Sequence, residues 1–282
     1  MSFRARLEAR WDAGLFACIG LDPVWDRLPV AVTAPAGSHP SREARAAAIA
    51  RFCCAIVDAT AHVACAFKPN AAFFEAEGAP GFAALETVMR HIRTVAPDVP
   101  VVYDAKRGDI GSTNQGYADH AFEQLGADAV TVHPYLGEEA LRPFLGRRDK
   151  GTIVLVRTSN PGGGEFQDLT VAGEPLYRVV ARRVAQHWNR NGNCAVVVGA
   201  TFHDEMAAVR AIVGDMPILI PGIGAQGGDL RRTVAAGRDA RGRGMIVSAS
   251  RSILYASEGD DFAVAARAEA ERLTAEIQDC NR

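Results

Sequence analysis

Residues 101–110, VVYDAKRGDI, run from an apolar, β-branched segment directly into charges of both signs. The first part is typical of a buried strand, and the second places Asp104, Lys106, Arg107 and Asp109 at its end. Side chains alternate along a strand, so Asp104 and Lys106, two residues apart, are predicted to point the same way. Both groups are therefore expected to face one cavity, where each helps to keep the other charged.

Seven further apolar segments of this kind occur along the chain, and stretches with helical spacing, such as residues 41–63 and 201–214, separate them. Near-continuous apolar strands that alternate with helices indicate a parallel sheet covered by helices. Eight such units predict an α/β fold of the (β/α)8 (TIM) barrel type, with an open doubly wound sheet as the alternative. No G-x-G-x-x-G follows the first strand, which disfavours a dinucleotide-binding form of that alternative. The predicted strands are residues 15–22, 65–70, 101–106, 129–134, 152–158, 194–200, 217–222 and 244–250.

Composition limits the class of protein further. Of the 282 residues, 48% are hydrophobic, enough for a substantial core, and we predict a single barrel domain over residues 1–282 with an irregular proline-rich insertion at about residues 23–40. A formal net charge of −2 gives no general attraction to nucleic acid or to an anionic membrane. The chain lacks an apolar run that could cross a bilayer, and its first residues lack the apolar part of a signal peptide. These features predict a cytoplasmic protein with reduced cysteines.

Lysine is rare in this chain: of 31 basic residues only Lys68, Lys106 and Lys150 are lysines. An arginine cannot release its proton in a protein, whereas a lysine can, so a lysine here can mark a position that needs proton transfer. Lys68 and Lys106 both fall at the ends of predicted strands, with Asp104 and Asp109 nearby. A buried ion pair that only closes the barrel is the structural alternative, but burying several charges is a costly source of stability, which favours chemistry.

Other polar or glycine-rich segments follow the predicted strands, whose C-terminal ends form the mouth of a barrel, where active sites lie. PGIGAQGGD (221–229) and SASRSIL (248–254) follow the last two strands, where barrels commonly bind phosphate. Glycine lets backbone N–H groups approach an anion closely, and arginine offers a planar pair of donors. TSNPGGGEFQ (158–167) is predicted to be a flexible loop on the active face. The candidate binding residues in these segments are Ser159, Gly222, Gly224, Gln226 and Arg251, and Asp22 at the end of the first strand is a further candidate.

These motifs, in this order, resemble those of the orotidine 5′-phosphate decarboxylase family over essentially the whole chain. DAKRGDI (104–110) fits the family's D-x-K-x-x-D-I signature, and FKPNAAFFE (67–75) is similar to the bacterial subgroup called type 2. Shorter similar segments are TSNPG, VVVGAT, PGIGAQGGD and SRSI. The resemblance implies decarboxylation of orotidine 5′-monophosphate to UMP and CO2, the last step of de novo pyrimidine nucleotide synthesis.

The resemblance also implies a role for each site residue. Lys106 would protonate C6 of the pyrimidine as CO2 leaves, Asp104 would lie beside the substrate carboxylate, and Lys68 would hold Asp104 and a ribose hydroxyl. Asp109, with Thr113, would reach across a homodimer interface into the partner's site. The remaining implied roles are contact with ribose or Lys68 by Asp22, a hydrogen bond to the pyrimidine by Ser159, and phosphate binding by Gln226 and Arg251.

The expected chemistry needs no cofactor and no metal. Loss of CO2 from a ring carbon leaves a carbanion, which most decarboxylases stabilise with a cofactor. The sequence has neither a clear metal-binding cluster nor a lysine typical of a Schiff base, so an ammonium is expected to stabilise the charge and then donate a proton. Two alternatives are a Mg2+-dependent sugar-phosphate decarboxylase or aldolase of the same superfamily, expected to carry an acidic ligand in place of Lys68, and a non-catalytic barrel that binds a phosphate ligand.

Overall fold

A computed structural model describes residues 1–223 and 229–282, and these residues form a barrel of eight parallel strands. A separate two-stranded antiparallel hairpin, β6 (Thr170–Val171) and β7 (Glu174–Pro175), lies between two of the barrel strands in sequence. The barrel strands are β1 (Ala17–Leu21), β2 (Ala64–Pro69), β3 (Val102–Arg107), β4 (Ala129–Val132), β5 (Gly151–Arg157), β8 (Cys194–Val198), β9 (Ile218–Pro221) and β10 (Met245–Ala249).

The sheet closes almost completely, in the strand order β2-β1-β10-β9-β8-β5-β4-β3. Its end strands β2 and β3 meet along what we call the seam, which isolated bridges hold between Phe67 and Val101 and between Asn70 and Asp104. Across the seam, the Phe67 N–H donates to the carbonyl of Pro100 at 3.0 Å. The seam therefore runs to the end of β3, where the charged residues stand.

The eight predicted strands are all present, and their ends agree with the prediction to within two residues. Every residue of β1, β2, β4, β8 and β10 is buried, because helices cover one face of the sheet and the barrel interior covers the other. This burial on both faces is why these segments are continuously apolar rather than alternating. The predicted (β/α)8 class is confirmed, whereas the assignment of one domain to the chain stays a prediction.

Helices lie between consecutive barrel strands and pack their apolar sides on the sheet. In α5, for example, Leu85, Val88, Met89 and Ile92 are buried at helical spacing. None of the described helices has the length and apolarity needed to cross a membrane. The helices are α1 (Phe3–Asp12), α2 (Val30–Thr33), α3 (Arg42–Thr60), α4 (Ala71–Glu75), α5 (Ala79–Val95), α6 (Gly111–Asp119), α7 (Gly137–Leu145), α8 (Gly164–Gln167), α9 (Leu176–Arg183), α10 (His203–Val213), α11 (Leu230–Gly237), α12 (Arg251–Leu254) and α13 (Phe262–Asn281).

Residues 23–40 contain short helical turns and α2. Contacts with Tyr255 and with Arg45 of α3 help to hold this segment on the barrel. The Tyr255 hydroxyl accepts from the Val24 N–H at 2.7 Å and donates to the Asp22 carbonyl at 2.9 Å. The guanidinium of Arg45 lies 4.7 Å from the ring centroid of Trp25, a favourable cation–π geometry. The first of these contacts also fixes the backbone of a predicted site residue at the end of β1.

Candidate active site

A buried carboxylate lies between two lysine ammonium groups at the mouth of the barrel. Lys68 Nζ donates to Asp104 Oδ2 at 2.9 Å, and Lys106 Nζ donates to Asp104 Oδ1 at 2.7 Å. We call these three residues the triad. The side chains of Lys68 and Asp104 are 6% and 9% exposed, whereas that of Lys106 is 51% exposed. Lys106 is therefore the member whose ammonium is most open to a ligand.

A bulge in β3 brings Asp104 and Lys106 together. The pairing of β3 with β4 slips between Tyr103 and Arg107. Lys106 has a φ of +47°, a left-handed conformation that is uncommon for residues other than glycine. The prediction that these two side chains meet is confirmed, but the regular alternation given as its reason is wrong, because the strand is not regular at this point.

The charges of the triad stabilise one another. Burial alone would lower the pKa of Lys68, but attraction first to Asp104 and then to Asp22 raises that pKa above its ordinary value. Burial alone would raise the pKa of the Asp104 carboxyl, but Lys68 and then Lys106 hold it well below its ordinary value. The buried pair is thus ionised at neutral pH, and fixed charges of both signs face the mouth.

Thr131 of β4 also contacts the triad, and the sequence analysis did not identify it. Its hydroxyl donates to Asp104 Oδ1 at 2.8 Å and accepts from the backbone N–H of Lys106 at 3.0 Å. Thr131 is almost completely buried. The signal that could have found it is a polar residue inside the apolar stretch AVTVHP, residues 129–134.

The triad lines a cavity of about 570 Å³, the large cavity, which also includes Ser159 after β5. Ser159 lies close to Gly199, the residue that follows β8, because a Cβ added at Gly199 would lie 2.8 Å from the Ser159 Cβ. The preceding residue is held by Gln167, whose side chain accepts from the Thr158 N–H at 2.9 Å and donates to the Thr158 hydroxyl at 2.8 Å. Gln167 is a second supporting residue that the sequence analysis missed. Other lining residues include Leu155, Phe166, Val197 and Leu219.

A small cavity of about 190 Å³ adjoins the large one and shares Lys68 and Asp104 with it. Gly222 in its wall has a φ of +106°, which favours glycine at that position. Gln226 and Gly224, also predicted to bind substrate, lie outside the described residues. The predicted binding residues that line the small cavity are Asp22, Gly222 and Arg251.

Asp109 and Thr113 are predicted site residues that this chain does not bring to its own triad. Among the described residues, neither lines the large or the small cavity. Asp109 Oδ1 accepts from the N–H of Ile110 at 2.6 Å. Asn114, which is fully buried, accepts from the Asp109 N–H at 3.0 Å and donates to the carbonyls of Asp109 and Ala140. The Asp109 loop is therefore fixed against α7, with its carboxylate away from the triad.

Comparison with known proteins agrees with this geometry. A model of the Orotidine 5'-phosphate decarboxylase / HUMPS family matches residues 18–268. The chain is 52% identical over 271 residues to the orotidine 5′-phosphate decarboxylase of Azoarcus sp. (strain BH72), covering 96% of each chain, and 50% identical over 278 residues to that of Cellvibrio japonicus (strain Ueda107), covering 98% of each. The solved structure of Leishmania donovani OMP decarboxylase is similar with a TM-score of 0.85 and 39% identity, covering 100% of this chain and 99% of that chain. The resemblance inferred from the motifs is confirmed, and the chain belongs to the Orotidine 5'-phosphate decarboxylase / HUMPS family.

Proposed function

We propose that the protein is a carboxy-lyase that converts orotidine 5′-monophosphate to UMP and CO2. The observation that carries this proposal is the triad, a buried carboxylate fixed between two ammonium groups, one of which is half-exposed in the large cavity. The relatives named above, which share about half of their residues with this chain, are orotidine 5′-phosphate decarboxylases. Their names support the choice of substrate.

The triad suits a decarboxylation in which the protein supplies the charge. Loss of CO2 from C6 leaves an electron pair on a ring carbon, and an ammonium fixed beside that carbon stabilises the pair and then donates a proton to it. Lys106 is the donor in this proposal, because the guanidinium of its neighbour Arg107 cannot release a proton. Asp104 lies beside the substrate carboxylate, so departure of CO2 relieves a repulsion between like charges. Lys68 holds Asp104 and a ribose hydroxyl.

The remaining predicted residues bind the rest of the nucleotide in this proposal. Arg251 and Gly222 in the small cavity, together with Gln226, bind the phosphate, and Asp22 on the same cavity contacts ribose or Lys68. Ser159 in the large cavity bonds to the pyrimidine. Binding energy from the phosphate, remote from the reacting carbon, helps to hold the base against the triad.

The catalytic role of Lys106 is tested by two variants. Lys106→Ala and Lys106→Arg should each lower kcat by at least about a thousandfold, since the first loses charge and proton and the second keeps charge without a transferable proton. The assay is the loss of substrate absorbance, with folding checked by circular dichroism. Lys150→Ala is the matched control, because the Lys150 ammonium donates to the Ala127 carbonyl away from the triad. Substantial activity in a folded Lys106→Ala protein would contradict the proposal.

Dependence on a metal is tested separately. In the described ranges, no group of three or more His, Cys, Asp or Glu side chains is arranged to hold a metal ion. In addition, Lys68 occupies the position where the Mg2+-dependent relatives were expected to carry an acidic ligand. Activity on orotidine 5′-monophosphate should be the same with and without EDTA. Loss of activity in EDTA that Mg2+ restores would contradict the absence of a metal cofactor.

We also propose a homodimer in which Asp109 and Thr113 complete the partner's site. Large apolar side chains are exposed beside the Asp109 loop: Ile110 is 60% exposed and Tyr135 is 87% exposed. The two loops that carry these side chains are in contact. The His133 ring packs on Gly108, and a Cβ added at Gly108 would lie 2.5 Å from His133 Nε2. Such a patch, next to the loop that carries Asp109, supports an interface with a second copy.

Subunit mixing tests the shared site. Asp109→Ala and Lys106→Ala subunits are each inactive alone in this proposal. A mixed dimer has one intact site, with Lys106 from the first subunit and Asp109 from the second. Random mixing should therefore restore about a quarter of wild-type activity. If the mixture stays inactive although mixed dimers form, Asp109 does not act across the interface.

A further inference from the structure

We infer that Thr131 is a positioning residue that sets the place of the Lys106 ammonium relative to Asp104, an inference that rests on the proposed decarboxylase function. Nothing in the motif resemblance assigns it a role. Its hydroxyl is bonded to two members of the triad at once, to Asp104 Oδ1 at 2.8 Å and to the Lys106 N–H at 3.0 Å.

The bulge in β3 explains why a side chain is needed at this point. Tyr103 pairs with Val130 and Arg107 pairs with Val132, so the β3 residues between them face a single residue of β4, Thr131. A regular ladder between the strands would satisfy the backbone N–H groups, but it is interrupted here. The hydroxyl of Thr131 takes the place of the missing ladder acceptor for Lys106.

The left-handed backbone of Lys106 makes this support necessary. A φ of +47° is unfavourable for a residue with a Cβ, so surrounding contacts must hold it. The N–H of Lys106 is fixed by Thr131, and its ammonium is fixed by Asp104 at 2.7 Å. Its side chain is otherwise half-exposed to solvent. Without the hydroxyl, the backbone and the ammonium are free to move away from the reacting carbon.

The direction of the Thr131 proton follows from the same geometry. A hydroxyl has one proton, and because the Lys106 N–H points at its oxygen, that proton is left to donate to Asp104 Oδ1. Asp104 Oδ1 thus accepts hydrogen bonds from both the Thr131 hydroxyl and the Lys106 ammonium, which restrains the orientation of the carboxylate. The Thr131 hydroxyl thus orients both reacting groups of the proposal. These are the Asp104 carboxylate, which repels the substrate carboxylate, and the Lys106 ammonium, which stabilises the electron pair left on C6.

The test compares Thr131→Val, which keeps the shape and removes the hydroxyl, with Thr131→Ser, which keeps the hydroxyl. We expect Thr131→Val to lower kcat by about 10- to 100-fold with KM changed by less than about threefold, because misplacement of a reacting group by about 1 Å costs up to about 100-fold. Thr131→Ser should stay within about fivefold of the wild-type kcat. Binding of the product UMP, measured by calorimetry, should be unchanged in both.

Thr152→Val is the matched control. Thr152 lies on the adjacent strand β5, is fully buried, and its hydroxyl has no hydrogen-bond partner within the described part of the chain. The same substitution there should leave kcat unchanged. If Thr131→Val keeps its kcat, if Thr131→Ser fails to restore it, or if Thr152→Val causes an equal loss, the inference is overturned. Should Thr131→Val fail to fold, the kcat of Thr131→Ala is compared with that of Thr131→Ser. An equal kcat of the two variants would then overturn the inference. A wild-type protein without activity would instead overturn the proposed function.

Discussion

Replacing Lys68 or Lys106 with methionine removes one of two partners of the same carboxylate, yet we expect very different losses of stability. Lys68→Met should lower the free energy of unfolding by about 3 kcal/mol, the lower end of the range for removing one partner of a buried ion pair. Lys106→Met should lower it by less than about 1 kcal/mol, as for pairs exposed to water. Both variants should lose decarboxylase activity.

Burial rather than distance decides this difference. The bond from Lys106 to Asp104, at 2.7 Å, is the shorter of the two, but half of the Lys106 side chain is exposed. Water can replace its ammonium at Oδ1, which Thr131 also contacts. Lys68 is buried, and its bond of 2.9 Å to Oδ2 crosses the seam between β2 and β3. Its loss removes from Oδ2 the partner that the described part of the chain provides, and with it an attraction between the two end strands of the barrel.

Urea unfolding at pH 7, followed by circular dichroism, measures both losses, provided that the slope of the transition is unchanged. The double variant Lys68→Met/Asp104→Asn removes the stranded charge and should recover part of the loss seen for Lys68→Met. Equal losses for the two single variants, or a greater loss for Lys106→Met, would refute the reasoning. So would a double variant that is less stable than Lys68→Met.

Three further predictions concern acid stability, the wall of the large cavity and the Asp109 loop. Folding lowers the pKa of Asp104, so as the pH falls the unfolded chain binds a proton at this carboxyl before the folded protein does. The stability advantage of wild type over Asp104→Asn should therefore be constant between about pH 5 and 9 and shrink below about pH 4. Urea titrations across this range check the sign, and an advantage that grows in acid would contradict it. Gly199→Ala should lower the free energy of unfolding by about 1–3 kcal/mol and reduce kcat/KM, because the added Cβ forces Ser159 to move. Thermal unfolding and steady-state kinetics measure the two effects. No change in either would show that the added Cβ can be accommodated without moving Ser159. Asn114→Ala should lower the free energy of unfolding by about 1–3 kcal/mol, since it removes the acceptor of the Asp109 N–H and the donor to the carbonyls of Asp109 and Ala140. The same urea assay measures this loss against wild type.

The barrel and its mouth could be predicted from the sequence because their signals are local. Strands buried on both faces are continuously apolar, and the carboxyl ends of parallel strands share one edge. Lys68, Asp104 and Lys106 could therefore be placed together from the sequence alone. The scarcity of lysine strengthened this interpretation, because two of the three lysines fall at that edge.

The supporting contacts could not be predicted, because they depend on pairing between distant segments. The bulge at Lys106 depends on how β3 lies against β4, and Thr131 stands 25 residues further along the chain. The glycine-rich segment 158–167 was predicted as a flexible loop, yet it contains α8, and Gln167 and Arg157 hold it through hydrogen bonds. No local composition encodes such contacts. Asp109 could be named from its motif, but a single chain leaves it apart from the triad.

The small number of lysines has a practical consequence for chemical labelling. The three side-chain amines differ in access: Lys68 is buried, Lys106 is half-exposed, and Lys150 is partly buried and donates to the Ala127 carbonyl. An amine-selective acylating reagent is therefore expected to react first at Lys106, the most exposed of the three lysines, at the catalytic mouth. Mass spectrometry of the modified peptide would report occupancy of the mouth directly on the natural chain, with no tag or introduced cysteine.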